Sequence, residues 1–269
     1  MKVLGVDVGG TNVDVVVFDS DTCKFRHVDT KKTSEVMSDF STYVCRIARE
    51  LEVRSVGIGA AVWIRNSKPV FAPNLSEFSQ LGKKLDCLNK NVKVILENDA
   101  NCFALFASRT LKVKNLLGIT VGTGVGSGIV AEGKIYRGMG MAGELGHVVV
   151  SEGGRLCGCG ERGHLEAYFG GRAYSYEGKD VKELVKTGAI YVTEGFHYFC
   201  IAVANAVRLL DPEVIALGGR IGMNLDAEIV KREINKYLLE YYNTEVVAVK
   251  DELAVAKGAC FACLEHSSE

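Results

Sequence analysis

DVGGTNVDVVVFD, Asp7 to Asp19, places an acid at the end of an apolar run and two glycines in the turn that leads into the next β-branched run. Glycines let backbone N–H groups come close to a polyanion, Thr11 adds a hydroxyl, and Asp7 can hold a hydrated Mg²⁺. Taken alone, DxGGT reads equally well as the turn of a β-hairpin. The pattern returns at ITVGTGVGSGIV, Ile119 to Val130, where strand, Gly-rich turn and strand follow in the same order. A pair of phosphate-type hairpins, one in each of two α/β units, is hard to account for as turns. A third glycine turn, in VIALGGRIG (Val214 to Gly222), follows a buried strand and would let an adenine ring lie against the backbone.

The rest of the chain alternates in the same α/β manner. Val3 to Asp7, Val13 to Phe18 and Phe25 to Asp29 read as strands joined by tight turns. Val36, Phe40, Tyr43, Val44, Ile47 and Leu51 share one face of a predicted helix over 36–51. A strand (Ser55 to Ala61), a loop with Pro69 and Pro73, and a strand (Val92 to Leu96) follow. Asn98 would cap a helix over Asp99 to Ser108. From Asn115 the grammar restarts with strands Leu116 to Val121 and Ser127 to Glu132. Helices are predicted over 179–186, 189–210 and 226–242, with strands Val214 to Leu217 and Val246 to Val249 between and after them. Ala254 to Leu264 carries small residues at helical spacing.

A chain of 269 residues accommodates two moderate domains. Lys plus Arg number 32 against 33 Asp plus Glu, so no global field draws the protein to nucleic acid or an anionic membrane. Small molecules and further copies of the chain are the expected partners. MKVLGVDVGG suits a strand and not a secretory segment, and no apolar run approaches the ~20 residues that span a bilayer; a cytoplasmic protein is expected. Of nine cysteines, Cys23, Cys45, Cys87, Cys102, Cys200, Cys260 and Cys263 are scattered, most of them in apolar segments, and read as reduced core thiols. Cys157 and Cys159 are spaced like ligands. With His147 and His164 they put four soft or borderline donors within 18 residues, the tetrahedral Cys₂His₂ preference of Zn²⁺. A surface position for His164 is the alternative.

ENDAN, Glu97 to Asn101, puts an acid one residue past an amide where a strand meets a helix, at the sheet edge where α/β proteins bind ligands. Asn98 and Asp99 can cap that helix, or Asp99 can act as a general base.

Together these motifs carry a resemblance. Paired DxGGT and GTGxGxG hairpins, a later LGG turn and a C-terminal AxxKGA resemble the sugar kinase, hexokinase and actin superfold. ENDAN followed by GELGH, CGCG and LEAY resembles its ROK branch of repressors and sugar kinases, from about Lys2 to Ala262. The resemblance implies a two-lobed α/β fold of the actin/hexokinase (ribonuclease H-like) kind, with an ATP cleft between lobes and a zinc-binding loop. The small lobe would be 1–109, with a C-terminal helix over 253–269 packing back on it. The large lobe would be 110–252, with the zinc loop over 147–164. It further implies an ATP-dependent hexose kinase acting on the 6-hydroxyl of glucose or a related sugar, with Asp99 as base and a homodimer as the common assembly. Asn74, Asn98, Asp99, Glu144, His147 and Glu166 would hold the sugar. Gly9, Gly10, Thr11, Asn12, Thr123, Gly124, Gly218 and Gly219 would hold ATP, with Asp7 near Mg²⁺ through water. His147, Cys157, Cys159 and His164 would hold one structural Zn²⁺.

The chain departs from the family pattern twice. The usual CxCGxxGCxE becomes CGCGERGHLE, with His164 in place of a third Cys. The usual Pro-Gly pair after the GIG strand is missing from GIGAAVWIRNSKP (Gly57 to Pro69), where Ala60, Ala61 and Trp63 stand. An N-acylhexosamine kinase, for N-acetylmannosamine or N-acetylglucosamine, is therefore the rival expectation. A sugar-responsive regulator is less favoured, because family repressors carry a helix-turn-helix before DxGGT and six residues precede Asp7 here.

Overall fold

The computed structural model describes residues 1–65, 68–72, 81, 85 and 92–265. Asn74, Pro73 and Cys87 lie outside the described residues, as do the last four positions assigned to the C-terminal helix. The chain divides into two compact units. One comprises Met1–Phe106, Arg137–Ala142 and Leu253–Glu269, and the other Ala107–Tyr136 and Gly143–Glu252.

In the first unit the strands are β1 (Lys2–Val8), β2 (Asn12–Asp19), β3 (Lys24–Lys32), β4 (Ser55–Ala60), β5 (Trp63–Arg65), β6 (Lys68–Phe71) and β7 (Lys93–Asn98). Five of them form a sheet in the order β3-β2-β1-β4-β7. β1 pairs antiparallel with β2 and parallel with β4, which pairs parallel with β7. Val8 stands opposite Ala60, and Ala60 opposite Asn98, so the three parallel strands end level. Period-two alternation divides the core. Leu4, Val6, Val8, Val13, Val15 and Val17 pack with the helix Phe40–Glu50, whereas Val3, Val16 and Phe18 pack with the helix Ala254–Glu265.

The AxxKGA segment owes its composition to that second face. A Cβ on Gly5 would lie 2.0 Å from the Ala256 carbonyl oxygen, and one on Gly57 2.0 Å from that of Ala259. The helix backbone rests directly on β1 and β4, a contact that only glycine permits.

In the second unit β8 (Leu116–Val121), β9 (Val125–Ala131), β10 (Lys134–Ile135), β11 (Val214–Gly218) and β12 (Glu245–Ala248) form a sheet in the order β10-β9-β8-β11-β12. β8 and β9 are an antiparallel hairpin, and β8, β11 and β12 run parallel. Leu117, Ile119, Ile215 and Leu217 share a core with Phe196, Phe199, Val203 and Val207 of the helix Glu194–Leu210. Phe169 stacks on Phe199 with ring centroids 4.6 Å apart.

Several expectations are corrected. The helix predicted over 36–51 is a short turn, Thr33–Val36, then a 3₁₀ turn and the helix Phe40–Glu50, because Asp39 leaves helical geometry at φ −133°, ψ 41°. The helix predicted over 189–210 breaks at Thr193, which is extended and whose hydroxyl caps the Phe196 N–H at 3.2 Å. The helix predicted over 226–242 ends at Asn235, with Asp226 capping its start. The β5–β6 hairpin replaces an expected loop, and Trp63 there is half-buried against Phe71. Cys102, Cys200, Cys260 and Cys263 are buried free thiols, but Cys23 is exposed and Cys45 is disulfide-bonded.

Candidate active site

Level strand ends set the first cluster. Asp7 leaves β1 one residue before its end, and Asn98 closes β7 directly before the helix Asp99–Leu111. The Asn98 side-chain oxygen accepts from Ala100 N–H at 2.9 Å and Asn101 N–H at 3.2 Å, so Asn98 caps the helix as expected. Asp99 Oδ1 also accepts from Ala100 N–H at 2.9 Å. Glu97 secures the turn from behind: it is 4 % exposed and accepts from Asn98 N–H and Asn101 Nδ2, each at 2.9 Å, and from Arg137 Nε at 2.7 Å. The sequence alone assigns Glu97 no role, and its partner Arg137 lies 40 residues on with no local signature.

Burial first, then the negative charges of Asp99 and Asp14, raise the Asp7 carboxyl well above its ordinary range. A site that crowds carboxylates in this way favours a cation or a proton. Gly9, Gly10, Thr11 and Asn12 form the adjoining hairpin turn. Gly9 N–H donates to the Asn12 carbonyl at 2.9 Å, and Thr33 fastens the turn through its N–H to Thr11 (2.9 Å) and its hydroxyl to Gly9 (2.6 Å). Gly10 and Thr11 remain exposed.

In the second unit Gly122 and Thr123 of the β8–β9 turn line a cavity of about 750 Å³. Arg172, Lys182, Lys186 and Arg220 line it together with Gly122 and Thr123, and among the described residues no carboxylate does. Four cations around backbone of this kind suit a polyanion of nucleotide size. Gly218 ends β11 and Gly219 follows at φ +74°, which a side chain would strain, bringing Arg220 to the cavity wall. Of the residues predicted to hold ATP, Thr123 lines the cavity, and Gly124 and Gly219 are next in the chain to lining residues; Arg172, Lys182, Lys186 and Arg220 escaped sequence reasoning because cations on short helices look like ordinary solvated residues.

Glu166 is 9 % exposed and accepts from Val125 N–H at 3.1 Å, pressed so close to the turn that a Cβ on Gly124 would overlap its carboxylate. Glu144 precedes the 3₁₀ turn Leu145–His147 and accepts through its carbonyl from His147 N–H at 3.0 Å. His147, Cys157, Cys159 and His164 converge, with ligand atoms all within 4.8 Å of one another. His147 Nδ1 lies 3.4 Å from His164 Nδ1 and 3.7 Å from Cys157 Sγ, and Cys159 Sγ is 3.3 Å from His164 Nδ1. A tetrahedral zinc with usual bond lengths sets N···N edges of about 3.3 Å and N···S edges of about 3.6 Å, so this donor set fits the ion. His164 is buried at 5 % exposure, which excludes the surface alternative. Burial pushes the Cys157 thiol up to about 11 and draws the His147 imidazole below its ordinary value. A bound cation would reverse the first effect by favouring thiolate.

The structure thus brings together Asp7, Asn98 and Asp99 in the first unit. In the second it joins Thr123, Gly124 and Glu166, and Glu166 Oε1 in turn lies 4.0 Å from Cys157 Sγ of the four candidate metal ligands.

Comparison with known proteins shows the family and the fold. The sequence pattern of the ROK family matches residues 3–262. The chain is 29% identical over 273 residues to a glucokinase of Streptomyces coelicolor, covering 87% of this chain and 86% of that protein. It is 30% identical over 276 residues to an N-acetyl-D-glucosamine kinase of Vibrio atlanticus, covering 87% and 90%. Its fold is similar to the ROK hexokinase from Thermus thermophilus, with a TM-score of 0.75, 28% identity and full coverage of both chains.

Proposed function

The chain belongs to the ROK family, and on that premise we infer that it is a sugar kinase that moves the γ-phosphoryl group of ATP to the 6-hydroxyl of glucose or a related hexose. The observation that carries this reading is Asp99. It stands at the carboxyl edge of three parallel strands, at the start of a helix, beside a second crowded carboxylate, Asp7. Phosphoryl transfer asks the protein for positioning and charge neutralisation. Asp99 accepts the proton as the sugar oxygen bonds to the γ-phosphorus and the bond to ADP breaks. Asp7 would hold Mg²⁺, which would supply neutralising charge on the donor phosphates. The Gly122–Gly124 turn and its cationic cavity take those phosphates, and Gly10 and Thr11 supply further backbone donors. Carboxylates suit a polyol, because each accepts hydroxyl hydrogens in charge-assisted bonds; Glu144 and Glu166 read the sugar, with Asn98, His147 and Asn74. His147, Cys157, Cys159 and His164 would hold one structural Zn²⁺, which would fix the loop that carries His147 and Glu166.

An N-acylhexosamine kinase is the second reading. Its support is the similarity itself, 30% to the N-acetyl-D-glucosamine kinase against 29% to the glucokinase.

Asp99→Asn tests the mechanism. Asn retains an oxygen for the Ala100 N–H, so fold and hexose binding should survive while turnover falls by ~10²-fold or more, as expected for loss of a general base. Turnover near wild type in single-turnover assays would remove Asp99 from the reaction.

A further inference from the structure

The loop that carries the candidate metal ligands and the turn that closes the cationic cavity meet at one side chain. Arg172 lines the cavity beside Gly122 and Thr123. Its backbone is fastened to the same turn: Arg172 N–H donates to the Thr123 carbonyl at 2.9 Å, and Gly171 N–H to that of Gly122 at 2.8 Å. Its side chain also lies against the loop of candidate metal ligands. A Cβ on Gly158 would lie 2.8 Å from Arg172 Nη1, so the guanidinium rests on the bare backbone between Cys157 and Cys159. Gly158 is flanked on both sides by candidate ligands, and the path of its backbone depends on where those two sulfurs are held. A guanidinium presents a rigid planar fork that matches phosphate oxygens, and its usefulness depends on being held in place.

We propose that Arg172 binds the phosphate chain of the donor nucleotide and that the Cys157-Gly158-Cys159 turn sets where its guanidinium sits, so that metal in the loop and donor affinity are linked. The inference rests on reading the 750 Å³ cavity as the donor site. Linkage is reciprocal: a metal that strengthens nucleotide binding is itself bound more tightly when nucleotide is present. Nothing in this requires the metal to touch the nucleotide. It acts through the shape of three residues.

The test is calorimetric titration of the full chain with Mg²⁺ and the non-hydrolysable analogue AMP-PNP, with adenosine measured by competition. Arg172→Gln should weaken AMP-PNP by about 10- to 100-fold, the loss of a charge-assisted hydrogen bond, and adenosine by less than about twofold. Arg172→Lys should recover part of the loss. Gly158→Ala, which displaces the guanidinium without touching a ligand, should weaken AMP-PNP with the metal content unchanged. Stripping the metal with a chelator should weaken AMP-PNP in the wild type by more than in Arg172→Gln, because the variant has lost the side chain that transmits the effect. Equal AMP-PNP affinity in wild type and Arg172→Gln overturns the proposal, as does an equal loss for AMP-PNP and adenosine. If Arg172→Gln does not fold, Arg172→Lys and Gly158→Ala decide, and wild-type affinity in both overturns it. A wild-type chain that binds neither AMP-PNP nor adenosine overturns the donor-site reading and this proposal with it, whereas failure of the Arg172 arms alone overturns only the link.

Discussion

Replacing Asp7 with Asn should stabilise the protein while abolishing turnover. Asp7 pairs across to Gly59 and Gly59 to Glu97, so the ends of β1 and β7 are two strand spacings apart. Two spacings are about 10 Å, and at an effective dielectric constant of about 20 two unit charges at that separation repel by about 1.7 kcal/mol. Asp99 starts its helix directly after β7, and Asp14 adds a further negative charge from β2. Burial is the larger cause of the raised pKa and repulsion adds to it; Asn keeps the shape and removes the charge, so the gain should be at least about 2 kcal/mol at pH 7, a rise of roughly 4–8 °C in midpoint for a chain of this size. The sign with pH follows from the raised pKa. The folded state holds the Asp7 proton where the unfolded state, at about 3.8, has released it. Wild-type stability attributable to this group therefore falls as pH rises from the unfolded value through the folded one. The advantage of Asp7→Asn should be absent below that window, grow across it and stay constant above it. Thermal and urea denaturation of both proteins across pH would measure it. A variant no more stable than wild type at pH 7, or one whose advantage persists unchanged into acid, would refute the crowding argument.

Native protein purified without chelator should contain about one zinc per chain by elemental analysis, and Cys157→Ser with Cys159→Ser should lose it, with a lower thermal midpoint and weaker hexose affinity, because metal binding energy is folding energy and His147 loses the ligation that orients it. Absence of zinc from the native protein would contradict this. Gly57→Val should cost about 2–3 kcal/mol or prevent folding, since its Cβ would overlap the Ala259 carbonyl. An unchanged urea midpoint would show that the helix Ala254–Glu265 can move off the sheet.

What the sequence discloses is local. The Asp7 strand end, the two glycine turns and the Asn98 cap are written in adjacent residues, and each forms where expected. So is the four-residue ligand set, because its members fall in one loop. The missed features depend on partners far along the chain. Glycine at positions 5 and 57 is visible, but the helix backbone that needs the space arrives 251 and 202 residues later, at Ala256 and Ala259. The Glu97–Arg137 ion pair and the cavity's cations are of this kind too. Trp63 and Phe71 form a short hairpin containing Pro69, a residue that argues against a strand until its edge position is known. The helices broken at Asp39 and Thr193 failed for another reason: apolar spacing continues through a polar residue that turns the backbone out of the helix.

The most direct test of the central claim is ADP release, coupled to a spectroscopic readout, with ATP and a panel of glucose, mannose, fructose, N-acetylglucosamine, N-acetylmannosamine and deoxy analogues. Hydroxyls held by buried polar groups are discriminated far better than bulk against an apolar wall, where a methylene changes selectivity only by ~10- to 200-fold. A hexose kinase should give sugar-dependent ADP release with glucose and mannose at similar efficiency, and should fail on an analogue lacking a hydroxyl read by Glu144 or Glu166. A preference of several orders of magnitude for an N-acetylated sugar would promote the second reading and leave the kinase intact, whereas no sugar-dependent ADP release with any of them would contradict the account.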